Sequence, residues 1–165
     1  MSGRVTKLAS LAAVAAALTS GTALAATGGR STVTITQHAH DVVLLSMPST
    51  NPCTGEPGII TAVAENEVLH ITYFTTGDEF WVTGTDEGTV TFTPDDPNGV
   101  AASGHFASWF GESSNNQNDV QHDAQTFVLK GTDGSLLVAH SNDHLSTNAN
   151  GVVTVSLGNV NLHCG

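Results

Sequence analysis

Two cysteines and eight histidines, set against only four lysines and arginines, are the side chains in this chain best suited to redox, metal or proton chemistry. Cys53 sits in Asn51-Pro52-Cys53-Thr54-Gly55-Glu56, and Cys164 is the next-to-last residue of the sequence. Neither belongs to a Cys-x-x-Cys pair or a cysteine-histidine cluster. In an exported chain the two are expected to form a disulfide, so neither is read as a nucleophile or a metal ligand. Among the histidines, His38 and His40 would share one face of a strand at roughly 6.7 Å spacing. A zinc site needs about four ligands, or three plus water, and this stretch offers two. No metal and no cofactor is expected.

His140, Asn142 and His144 share the face of a strand that also carries Leu136 and Val138. That face starts apolar and turns polar, the pattern of a lined interior opening at its mouth, with the two histidines roughly 13 Å apart. Trp109 and His105 share a face with Ala107 between them, while Phe106 and Phe110 take the other. Trp81 likewise lies opposite Phe80 and Val82. One phase must face the core, so the indoles mark a second surface suited to sugar stacking or a partner contact. Trp109, His105, His140, Asn142 and His144 are the ligand-binding candidates. Glu56, held among Pro52, Thr54, Gly55 and Pro57, reads as an acceptor for loop amides. No G-x-S-x-G elbow, Walker loop or dinucleotide fingerprint is present, and no catalytic residue is assigned.

The elements that must position these residues are strands. Runs rich in Thr and Val recur between turn signals over Thr32–Gln37, Asp41–Met47, Gly58–Ala64, Val68–Thr75, Glu79–Thr85, Thr89–Thr93, Ala101–Phe110, Gln125–Lys130, Ser135–Leu145, Val152–Leu157 and Val160–Cys164. Glu65-Asn66-Glu67 and Asp86-Glu87-Gly88 read as breaks, the second as a hairpin turn. Pro94–Gly99 must turn, Glu112–Asp119 reads as an exposed loop, and Asp133-Gly134 favours a tight hairpin. The sequence thus predicts an all-β fold, a single antiparallel meander closed into a barrel of about 8–10 strands, with a two-sheet β-sandwich as the alternative. A bridge between Cys53 and Cys164 would close a long loop, contributing roughly 4–5 kcal/mol in the chain-entropy model.

Residues 1–25 have the three parts of a secretory signal. Arg4 and Lys7 open it, Leu8 to Leu18 form its apolar run, and Ala23-Leu24-Ala25 offers the small-x-small cleavage site. The remaining 26–165 form one β domain, secreted and without a membrane span, since that run falls short of the about 20 residues a spanning helix needs. Cleavage leaves Arg30 and Lys130 against fifteen acidic residues, taking the formal charge from −11 to −13. Such a chain repels phosphate backbones and anionic lipid, which argues against nucleic acid as a partner and leaves contact with cations or basic partners open.

The motif Asn51-Pro52-Cys53-Thr54-Gly55-Glu56 resembles one in small exported actinobacterial proteins of uncharacterised function. The likeness runs on through Val82–Thr85, Pro94–Pro97, Gly104–Gly111, Gly131–Ser135 and the terminal His163-Cys164-Gly165. It implies a secreted β domain with the same cysteine pair and brings no catalytic residues. The function expected is therefore an exported binding or interaction module for a small apolar ligand or a carbohydrate. The alternative is a cofactor-free barrel isomerase or cyclase resembling dirigent and allene-oxide-cyclase proteins, using a shaped pocket and one acid. Acid sensing by the histidines is a third reading, since unperturbed imidazole titrates near pH 6.5.

Overall fold

A computed structural model describes residues 32–75 and 79–165; the signal segment expected over 1–25 lies outside them. Among the described residues the chain forms eight strands and no helix. They are β1 (Thr32–Ala39), β2 (Val42–Thr50), β3 (Pro57–Phe74), β4 (Phe80–Pro94), β5 (Ala102–Ser114), β6 (Asn118–Gly131), β7 (Leu136–Asn148) and β8 (Val153–Cys164). All belong to one antiparallel sheet ordered β1-β3-β4-β5-β6-β7-β8, with β2 also on β3. The meander is as expected, while the sandwich is not what forms.

The strands are longer and fewer than their turn-like residues suggest. Glu65-Asn66-Glu67 does not break the chain: it is a register shift inside the 18-residue β3, opposite β4. Asp86-Glu87-Gly88 is not a hairpin but the middle of β4. Gly88 is there because β3 bulges onto it, and a Cβ at that position would meet the Val63 carbonyl oxygen at 2.0 Å. Gly104 on β5 does the same for β6, where a Cβ would lie 1.7 Å from the Val128 oxygen. These two positions let neighbouring backbones crowd the inner face, which bends the sheet. Ser113 and Ser114 extend β5 into the expected loop, so only Asn115–Gln117 turns, and 152–157 and 160–164 fuse into β8.

Pro48 lies inside β2 rather than ending it. The Asn51 N–H donates to the Glu56 carbonyl at 2.8 Å, and ladder bonds alternate along an antiparallel pair. Pro48, paired with Ile59, therefore turns its ring nitrogen to the free edge, where no ladder bond is lost.

The inner face carries the core. Ala62 and Ala64 of β3, Val90 and Phe92 of β4, Phe106 of β5 and Leu129 of β6 are all buried, with Ile60, Phe127 and Leu137 packed against them. Phe106 and Phe127 stack at 6.0 Å across β5 and β6. Burying side chains of this size contributes about 1.5–3 kcal/mol each for the larger ones.

The sheet is not closed into a barrel. β1 and β2 share one place on β3, so the order has seven positions, and β1, β2 and β8 all run the same way. An odd ring of otherwise antiparallel strands can close only through a parallel pair, and no such pair forms among the described residues. Instead Cys53, in the loop after β2, bonds to Cys164 at the end of β8, across 111 residues of sequence. The disulfide expected from the two cysteines is therefore present, and it spans the open seam at one end.

Candidate functional site

Alternation along each strand sorts the polar side chains by face. Register places His38, His70, His105, His122, His140, His144 and His163 on the outer face, in line with exposed residues such as Val128. Glu67, Asp86, Glu112, Asp123 and Asp143 fall on the inner face, in phase with Leu69 and the core.

On the outer face, Trp109 of β5, His122 of β6 and His144 of β7 form a cross-strand aromatic row. The rings of Trp109 and His122 are centred 6.5 Å apart, and those of His122 and His144 only 4.1 Å apart. The Nδ1 atoms of the two histidines are hydrogen-bonded at 3.0 Å. One imidazole must donate and the other accept, so at least one ring is neutral. Leu157 of β8, 67% exposed, continues the row opposite His144. Asn142 and Asn159 pair on the adjacent row, beside Ala124 and Trp109. Together these residues line a shallow groove of about 440 Å³. Trp109 is 46% exposed there, an apolar plate with amide groups at its side.

Of the residues singled out in the sequence, Trp109, Asn142 and His144 meet in this groove. His105 and His140 share the outer face but lie beyond it, His140 held by the Thr126 hydroxyl at 3.0 Å. The face of β7 bearing His140, Asn142 and His144 is therefore not an interior mouth: Leu137, of the opposite phase, packs on the core. His122, Leu157 and Asn159 complete the groove. Alternation in β6 puts His122 and Ala124 on one face and Asp123 and Gln125 on the other, but only the pairing of β6 with β5 brings His122 to the Trp109 side. Trp81 shares the outer face but does not line the groove, and packs edge-on against Phe74 at 5.2 Å.

The inner face beyond the core is acidic. Ser108 donates to Asp86 Oδ2 at 3.2 Å, and the Gln125 amide donates to Asp123 Oδ2 at 3.0 Å. The other oxygen of each carboxylate, Oδ1, is buried and unbonded. Burial pushes the carboxyls of Asp86 and Asp123 above the usual range, and neighbouring Asp123 and Asp143, respectively, add to the push. Burial, then Asp86, does the same to Glu67.

Elsewhere the chemistry is structural. Glu56 Oε2 accepts the Val100 N–H at 3.3 Å, tying the cysteine loop to the turn before β5. His40 Nδ1 binds the Glu65 carbonyl at the β3 bulge, at 2.9 Å. Among the described residues no three His, Cys, Asp or Glu are arranged to hold a metal ion, and no helix is long and apolar enough to cross a membrane. No family model, curated protein or solved structure matches the chain.

Proposed function

We propose that this is an exported extracellular binding module that takes a carbohydrate on the outer groove, with a small apolar molecule as the other ligand class. The observation that carries the reading is the exposed Trp109 in a row with His122 and His144, flanked by Asn142 and Asn159. A sugar ring offers an apolar C–H face to an indole and hydroxyls to neighbouring amides and imidazoles, which matches this mixture. The inner face suits an apolar ligand less well: at the disulfide end the space between the seam and the core is only about 80 Å³. Glycan titrations monitored by tryptophan fluorescence, in a Trp81→Phe background, test the proposal. Quenching that disappears on Trp109→Ala is expected, and an unchanged response in that variant overturns it.

A barrel-type isomerase is the second reading, favoured by one observation: the half-buried carboxyls of Asp86 and Asp123 on the inner face, raised by burial. Raised carboxyls are what a general acid near neutrality requires. A turnover screen with apolar isomerisation substrates tests it, and turnover unaffected by both Asp86→Asn and Asp123→Asn removes it.

A further inference from the structure

β8 is exposed along all 12 of its residues and is paired on one side only. Leu136 and Gly165 exchange both backbone hydrogen bonds, at 2.6 and 2.9 Å. Ladder alternation then turns the N–H groups of Ser156, Gly158, Val160, Leu162 and Cys164 away from β7, into the seam. Edge strands are ordinarily blunted by lysine, proline, inward charge or a bulge. The sequence Val153–Cys164 contains no charged residue and no proline, and its inward Val160 and Leu162 are 66% and 45% exposed. Across the seam, β2 and β1 run parallel to β8 and present the other free edge.

A strand inserted between two parallel edges is antiparallel to both, and it raises the seven positions to eight, the even number an antiparallel barrel needs. The inner face states what that strand should carry. Glu67, Asp86, Asp123 and Asp143 line it, and the one lysine or arginine among the described residues, Lys130, lies on the outer face. A second copy of the chain cannot supply the strand from β8, which has only one free edge. We propose that the seam between β8 and the β1–β2 edge is a strand-acceptor site. It takes one extended segment of a partner protein, antiparallel to both edges, with apolar residues toward Val160 and Leu162 and a lysine or arginine toward the inner carboxylates. Main-chain bonds would supply affinity and the inward side chains selectivity, as in other strand additions.

The test uses the full oxidised chain and the capped peptide Thr-Val-Thr-Val-Thr-Lys-Thr, whose valines and lysine share one face of a strand, with glutamate-for-lysine and backbone N-methylated versions as controls. Calorimetry is expected to show binding of the lysine peptide and none of either control. Hydrogen exchange should show new protection at Val160 and Leu162 and on β1 or β2. Val160→Pro removes a seam donor without touching the β7 ladder and should weaken binding at least tenfold. The double variant Asp86→Asn with Asp123→Asn should weaken it about tenfold. Where Val160→Pro fails to fold, the N-methylated peptide still decides the point. Equal binding of the N-methylated or glutamate peptide overturns the proposal. So does β8 already protected as fully as β7 in the free protein, whether by self-closure or by a dimer seen in sedimentation.

Discussion

His122 and His144, 22 residues apart in sequence, face each other across β6 and β7 with their Nδ1 atoms 3.0 Å apart. That bond needs one nitrogen to donate and the other to accept, which fixes complementary tautomers in the two rings. By register the inner carboxyls sit on the opposite face of the sheet.

Breaking that bond should disturb the aromatic row before it disturbs the fold. In the Trp81→Phe background, His144→Leu removes one ring and its Nδ1 partner, and Trp109 fluorescence should change while far-ultraviolet dichroism does not. Fluorescence left unchanged by that variant contradicts the row.

The inner carboxyls link the stability of the fold to pH. Glu67, Asp86 and Asp123 hold protons more tightly in the folded chain than in the unfolded one, chiefly through burial. The folded state thus binds more protons in the window just above ordinary carboxyl values, and stability falls as pH rises through it. Asp123→Asn removes one such charge and keeps the shape. Partial exposure screens the effect, so thermal unfolding at pH 7 should rise by only about 1–3 °C. The gain should vanish toward pH 4, and an unchanged difference between the two pH values contradicts the assignment.

Gly88 and Gly134 separate close approach from turn conformation. Gly88→Ala forces a Cβ toward the Val63 oxygen and should destabilise by about 2–4 kcal/mol in denaturant unfolding. Gly134 adopts φ 89° in an open turn with no atom near its missing Cβ. Gly134→Ala should lose only about 1 kcal/mol, the strain of a non-glycine residue there. A reversed ranking would contradict the bulge contact as the reason for Gly88.

Removing the bridge with Cys53→Ala and Cys164→Ala releases a loop spanning 111 residues. Chain entropy sets an upper loss of about 4–5 kcal/mol. Exchange should accelerate first in β8 and in the Asn51–Glu56 loop, and uniform acceleration over the whole sheet would contradict a seam clasp.

Much of this was legible in the residues. The alternation of Phe106 and Phe110 with His105 and Trp109 gave the phase of β5, and the two cysteines gave the bridge. What misled was local chemistry overridden by packing. Asp86-Glu87-Gly88 has the composition of a hairpin, yet Gly88 answers to a neighbouring backbone that no local pattern reveals. The same holds for the phase of β7, where Leu136 and Val138 look like core residues until Leu137 is seen to hold that place. The groove was only half visible because His122 and Leu157 reach Trp109 through register across four strands, which is a property of pairing and not of spacing.

From β3 onward every strand pairs with its successor, so this wall can assemble as a run of adjacent hairpins, each closing a short loop on the microsecond scale. β1 is different: it must skip β2 and find the far half of β3, with Asp41 turning through φ 57° between the two. The oxidative bond is more remote still, because in the native sheet it joins the two ends of the run of hairpins from β3 to β8. Oxidation in step with the sheet is thus expected to follow the hairpins, and reduced protein trapped early in refolding should already hold the Phe106–Phe127 stack.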